Sequence, residues 1–402
     1  MVVGAGVAGL AAAGRLRTAG MRVTLIEAGS RAGGRAWTSL VRGDLFDHGA
    51  SWLHDADRNP LVAMATPGDR LIDSDKARHE RVGVRGRLAT AAEQSAYDAA
   101  WDSVEQVAAP ALLGPDTTLA AGLAPLAGNA WAGLVALWEG AIIAAADADR
   151  LGLRDWHRNR LDGRNMVPAE GVGAYVTRKL ATDVTLDTPA TAIRWDGPGV
   201  RVDTPSGTIR ADAAIVTVST GVLAAGAIRF HPPLPFNVQA AIAALPMGLL
   251  SKVLLPAAGP ERLGLPADAL VVDQVGRMTF NAWPQGRAHL VGFLGGALAW
   301  DAASRLGAAT ELARTELRLA LGAAALGALG PDTLETVWGT DPLFRGAYAY
   351  AGPGDAEQRG ALATAFPGER LLFAGEATRT DGLAGTVGGA FLSGIEAAER
   401  LA

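Results

Sequence analysis

Cysteine is absent from all 402 residues. That excludes disulfides, thiolate metal sites, iron–sulfur clusters, a cysteine nucleophile and any cofactor attached through a thioether. Aromatic residues make up only 6% of the chain, and charge is scarce, with 36 Lys+Arg against 41 Asp+Glu and a formal net charge of -5. The slightly acidic balance gives no support to nucleic-acid binding. Two local basic stretches, residues 78–87 and 154–164, also carry acids and lack a stacking pattern, so they read as solvated surface. There is no long hydrophobic run. The most apolar stretch, residues 131–146, is interrupted by Glu139 and Gly140 and is shorter than the roughly 20 residues a membrane span needs. A buried or interfacial helix is expected there, and no membrane anchor.

What the chain does have is bulk and glycine: 49% hydrophobic residues and 51 Gly. Its length supports a large core and, as a prior, two domains. Gly4, Gly6 and Gly9 follow an apolar start and open a small-residue helix over residues 10–19; residues 22–27 then read as a second strand ending in Glu27. In a βαβ unit Gly4 makes the turn, Gly6 lets backbone approach a pyrophosphate, and Gly9 allows close helix–strand packing. The helix start offers free N–H groups to phosphate, and Glu27 is placed to accept from ribose hydroxyls, which favours FAD or NAD over NADP. Only three residues precede Gly4, whereas a strand feeding such a turn usually has about five or six. A cytoplasmic protein is expected, with a leader upstream of Met1 left open.

Gly33, Gly34 and Arg35 follow at once and supply a second backbone approach and a cation. Here the sequence resembles the FAD-dependent amine oxidase family, whose start combines this glutamate with Gly-Gly-Arg. Carotenoid desaturases and protoporphyrinogen oxidases share that start. The C-terminal segment is more specific: Gly375-Glu376-Ala377-Thr378 after an apolar strand, then Gly385-Thr386-Val387-Gly388-Gly389 opening a helix. It resembles the closing motif of flavin amine oxidases, in which the acid binds the ribityl chain and the helix start faces the flavin. A carboxylate at a strand end suits hydroxyls, and a glycine-rich helix start suits an anionic ring edge. The interior blocks around residues 162–171, 212–223 and 230–235 resemble the same family, so the likeness spans nearly the whole chain; residues 57–155 match least.

The resemblance implies site roles at named positions. Lys252 falls on the lysine that holds a water against flavin N5. Tyr348 falls on one wall of the aromatic cage, and Thr386 stands where many members have the opposing tyrosine, leaving the cage half open as in spermine-oxidase-like and histone-demethylase-like members. His54 falls where animal-type polyamine oxidases place a substrate-facing histidine. Gly49, Ala50, Ser51, Trp52, Ala190 and Trp338 join Gly4, Gly6, Gly9, Glu27, Gly34, Arg35, Gly375, Glu376, Thr386 and Val387 as the expected cofactor cradle. No metal site is expected, because His48 and His54 lack a third ligand nearby.

The expected architecture is α/β, with a discontinuous Rossmann-like, glutathione-reductase-type FAD domain (1–56, 160–235, 345–402) and a mixed-sheet plus helical substrate domain (57–159, 236–344). Short strands are expected at 182–188, 190–195, 200–204, 208–211, 213–218, 252–255, 269–273, 277–283 and 289–292, with one long helix over 302–321. The implied activity is oxidation of an amine, a polyamine or other secondary amine first, by hydride transfer to flavin N5. The imine hydrolyses to aldehyde or ketone plus amine, and O2 becomes H2O2. The partners expected are the small amine and O2, in a monomer or homodimer. The alternatives are an L-amino-acid oxidase, which would need an Arg for the substrate carboxylate that the sequence does not locate, a desaturase-type flavoenzyme, and a non-catalytic flavin-binding interaction protein.

Overall fold

The structure is a computed structural model that describes residues 1–77, 79–259 and 262–402; Arg78, at the start of the first basic stretch, lies outside them. Four strands form a parallel sheet in the order Leu25–Ile26, Val2–Val3, Ala214–Val216, Leu371–Phe373. Each is short and apolar on both faces because both are covered, one by helices and the other by a second sheet with helices Phe236–Ala243 and Gln358–Thr364. The strands come from the start, middle and end of the sequence, so no single segment carries a complete core. Helices Val7–Thr18 and Val387–Glu399 pack together on one face. Their contact is glycine-lined: a Cβ on Gly394 would lie 2.1 Å from the Ala8 carbonyl oxygen. This Rossmann-like unit, within a mixed α/β molecule, is the class expected from the sequence.

A second sheet of four strands, Gly207–Ala211, Val200–Thr204, Ala192–Arg194 and Arg229–His231, packs beside the first. The third has seven strands, with Leu334–Glu335 at one edge, then Leu250–Pro256, His289–Gly295, Thr279–Ala282, Ala269–Asp273, His79–Val84 and Arg87–Leu88. Alternation along Leu250–Pro256 sets the site. Val253 and Leu255 join the core shared with helix Ala308–Leu321, while Leu250 and Leu254 face the other way against Phe46 and Trp52. Lys252 has that second parity and is opposite Phe293 in the ladder.

Three local expectations differ. The helix expected over 302–321 is two helices, Gly296–Ala303 and Ala308–Leu321, because Gly307 takes φ +86° between them. Residues 182–188 form no extended strand, only a bridge from Thr185 to Ile26. The apolar run at 131–146 is helix Ala132–Leu137 followed by a π-helical turn, Trp138–Ile142. Strand Leu71–Asp73 pairs with Met166–Pro168, so a ladder crosses the expected boundary at 159/160. Among the described residues no helix is long and apolar enough to cross a membrane.

Candidate active site

One cavity of about 680 Å³ runs from the first glycine turn, past Lys252 and Tyr348, to a chamber beyond Trp138 and Trp156. At its glycine end each motif residue has a distinct job. Gly4 takes φ +98°, and a Cβ on Gly9 would lie 1.9 Å from the Gly4 carbonyl oxygen, so Gly9 serves packing and does not line the cavity. Gly6 caps the helix Val7–Thr18, and a Cβ there would meet nothing within 4 Å; it faces open cavity. Gly34, at φ +59°, stacks its Cα side against Gly6, which brings the two glycine turns together. Glu27 lines the same end, with Oε2 accepting from Ala5 N at 2.7 Å and Oε1 from Gly29 N at 2.8 Å. Its first task is to fix both turns, leaving each oxygen one further lone pair for a hydroxyl. Ala190 lines the cavity beside Thr188 and Pro189.

Arg35 and Glu376 form an ion pair at 2.8 Å, and Arg35 also donates to the Ala347 carbonyl at 2.6 Å. Glu376 is 6% exposed and accepts from Ala349 N as well. Gly375 and Val387 line the cavity next to it. The Thr386 hydroxyl is committed to the protein. It accepts from Gly389 N at 2.9 Å and donates to the Leu383 carbonyl at 2.8 Å, capping helix Val387–Glu399. Thr386 therefore lines the cavity as a helix cap, its proton spent and one acceptor lone pair remaining.

Lys252 is 4% exposed. Its ammonium donates to the Asp47 carbonyl at 2.9 Å and also to the Gly49 carbonyl and the Ser51 hydroxyl. All three of its donors are thus spent on the loop that presents Gly49, Ala50, Ser51 and Trp52 to the cavity. The resemblance implies a lysine that holds a water; here the ammonium clamps this loop, and a water would share or displace one of these bonds. Burial pulls its pKa down to about 8, against the opposing pull of Asp47. Trp338 staples the same loop by donating from Nε1 to the His48 carbonyl at 2.9 Å.

His54 faces the cavity with its tautomer set from behind. Asn165 donates its amide to the Asp75 carboxylate, so its oxygen faces His54 Nδ1, 2.7 Å away, as an acceptor. Nδ1 therefore carries the proton. Burial lowers the His54 pKa despite help from Asn165, so the ring is neutral near pH 7 with the Nε2 lone pair free to accept. The Tyr348 ring lies against Gly385, and its hydroxyl donates to the Ile142 carbonyl at 3.2 Å. Burial raises the Tyr348 pKa, with Glu376 adding to it, and keeps it un-ionised.

Sequence reasoning missed the far chamber. Glu139 lies on the π-helical turn, is 5% exposed, and accepts from Trp156 Nε1 at 2.7 Å. Burial raises its pKa. Trp101, Trp138 and Trp156 line this part with Thr279 and Asn281. The signal was present: Glu139 is the acid that interrupts the most apolar stretch of the chain. Its meaning depended on the extra residue of the π turn, which helical periodicity does not reveal.

Fold and cavity together define a dinucleotide-binding protein whose cofactor end continues into a chamber lined by aromatic side chains. The family model for flavin containing amine oxidoreductase matches residues 118–402, and that for an NAD(P)-binding Rossmann-like domain matches residues 2–65. The chain belongs to the flavin-containing amine oxidoreductase family, is an enzyme of that class, and uses FAD. Polyamine oxidase 4 of Oryza sativa subsp. japonica is 30% identical, the match taking in all of this chain and 88% of the relative. Lysine-specific histone demethylase 1 homolog 1 of Arabidopsis thaliana is 29% identical across the whole chain, which spans 52% of that relative. A solved structure of putrescine oxidase bound to putrescine has a TM-score of 0.81 at 21% identity, covering 100% of this chain and 98% of the other. At that identity the likeness speaks for the fold alone.

The residues fit the cofactor. Gly6 leaves space where any other side chain would intrude, two glycine turns and a helix start face the cavity, and Glu376 lines it in the turn just after strand Leu371–Phe373. With no cysteine in the chain, a thioether link is impossible.

Proposed function

We propose that the protein oxidises a polyamine or another secondary amine carrying a second positive charge, with O2 as acceptor and H2O2 as product. When bound, the flavin supplies the hydride acceptor. The chain's own residues do the rest. The Tyr348 ring, aimed into the cavity beside Gly385, offers a π face to the reacting amine. Neutral His54 accepts a hydrogen bond from an amine N–H through Nε2, orienting the nitrogen without adding charge. Glu139, in the chamber beyond, receives a remote ammonium whose alkyl linker lies against Trp101, Trp138 and Trp156. Lys252 keeps the loop 47–51 in shape and water-poor.

The observation that carries this reading is Glu139: a buried carboxyl placed in the same cavity as Lys252 and Tyr348. A charge-assisted hydrogen bond of this kind contributes about 1.5–3 kcal/mol, or roughly 10- to 150-fold in affinity. An amino-acid oxidase is less well supported. The cavity-lining Arg359 gives its N–H groups to Asp155 and to the Ala349 and Ala377 carbonyls, and Arg160 is paired with Glu105 and Asp162.

The test is peroxide release over a panel of monoamines, diamines, polyamines and amino acids, for wild type and Glu139→Gln. The proposal expects polyamine or diamine turnover, with KM in Glu139→Gln raised at least about 10-fold for these and unchanged for a monoamine of equal length. Amino-acid turnover, or a uniform KM change, would overturn it.

A further inference from the structure

Asp155 and Arg359 are each 3% exposed, yet both line the active-site cavity. They form a bidentate pair, Nε to Oδ1 at 2.6 Å and Nη2 to Oδ2 at 2.8 Å. Taking two charges out of water is expensive, and a well-packed apolar pair of similar volume commonly serves stability as well or better. The remaining bonds show what an apolar pair could not do. Arg359 Nη2 also donates to the Ala349 carbonyl at 3.0 Å, and Nη1 to the Ala377 carbonyl at 3.1 Å. Asp155 Oδ2 accepts from Ala351 N at 2.8 Å, and Oδ1 from the Asn159 amide at 2.9 Å.

Those acceptors and donors are adjacent to the chemistry. Ala349 follows Tyr348 directly, Ala377 follows Glu376, and Ala349 N donates to the Glu376 carboxylate. Asp155 belongs to helix Leu153–Arg158, which carries Trp156 and through it holds Glu139. Arg359 belongs to helix Gln358–Thr364, packed against the parallel sheet. A rigid guanidinium fork and a fixed carboxylate therefore lock three things together: the Tyr348 segment, the Glu376 segment and the helix behind the Glu139 chamber.

We propose that Asp155 and Arg359 are positioning residues for the oxidation, setting the angle of the Tyr348 ring and the height of Glu376 relative to the substrate chamber. The catalytic arm of this inference rests on the amine-oxidase reading above; the flavin-environment arm does not. Removing one partner alone leaves a buried unpaired charge and is expected to impair folding. The informative variant is the apolar double exchange, Asp155→Leu with Arg359→Met, with Arg359→Lys as a second variant that keeps the charge and loses the fork.

Each variant is purified with FAD and compared with wild type in three readouts: the thermal unfolding midpoint, the visible absorption envelope of the bound flavin, and kcat against KM for whichever amine wild type uses best. The double variant leaves the Ala349 and Ala377 carbonyls and Ala351 N without these partners, so it is expected to unfold at a lower midpoint than wild type, to hold FAD, and to show a shifted flavin envelope with kcat at least about 10-fold lower and KM within about 3-fold, on the scale that small misplacements cost. Arg359→Lys is expected to shift the envelope the same way by a smaller amount. A folded, flavin-loaded double variant or Arg359→Lys with a wild-type envelope and wild-type kcat would overturn the proposal and leave the pair merely structural. If wild type turned over no amine at all, the functional reading would fall while the envelope comparison still decided the flavin-environment arm.

Discussion

An ammonium held at 4% exposure is a costly thing to fold around, and Lys252 is arranged so that its cost can be measured. Its pKa is pulled down to about 8 from the usual 10.5, chiefly by burial. Between those values the unfolded chain keeps the proton and the folded protein has lost it. The unfolded state binds more protons, so native stability rises with pH across that window. Apo wild type should therefore gain on Lys252→Met by about 3 kcal/mol between pH 8 and 10.5, read by urea unfolding. Parallel pH profiles for the two proteins would remove the burial cost from the account. The same variant should slow turnover in air strongly, and an unchanged rate would detach Lys252 from the site. His54 is simpler: burial keeps its ring neutral, and Asn165 with Asp75 behind it fixes which nitrogen carries the proton. These partners lie 111 and 90 residues apart along the chain, which is why the sequence offered the histidine but not the relay that orients it.

At the scale of elements, the two glycine turns separate cofactor binding from folding. Gly6→Ala meets nothing in the protein and sits at φ -69°, so apo stability should change by no more than about 1 kcal/mol. The FAD dissociation constant should nonetheless rise at least 10-fold, followed by flavin fluorescence titration. Wild-type FAD affinity in a folded Gly6→Ala protein would mean that the cofactor does not approach this turn. Gly9→Ala should instead fail to fold, because its Cβ would strike the Gly4 carbonyl. The packing role of Gly9 was legible from spacing alone, since a Gly-x-Gly-x-x-Gly turn encodes it locally, and the Gly6→Ala titration tests the cofactor role that the same spacing implies. The π turn at Trp138–Ile142 was not, and neither was the break at Gly307, because each depends on where the chain must go in three dimensions rather than on periodicity. Thr386 stands between these cases. Its place at the helix start was readable, but the commitment of its hydroxyl to Gly389 N and the Leu383 carbonyl appears only in the folded structure.

Across the whole molecule, the active site exists only because distant segments meet. Val2–Val3, Ala214–Val216 and Leu371–Phe373 lie side by side in one sheet, and the seven-stranded sheet and the helices around Glu139 line the far part of the cavity. Terminal motifs made the cofactor end readable because their residues are contiguous. The substrate end was less readable because its decisive groups, Glu139 with Trp156 and Asp155 with Arg359, are joined by contacts 17 and 204 residues apart. The central claim is that this assembled cavity passes electrons from a multiply charged amine to a non-covalent flavin. The most direct measurement is anaerobic mixing of the FAD-loaded protein with a polyamine, watching the flavin's visible absorbance, and then admitting O2. The account predicts bleaching by the polyamine, recovery on aeration, and about one H2O2 per flavin reoxidised. A flavin that stays oxidised with every amine in the panel would contradict it.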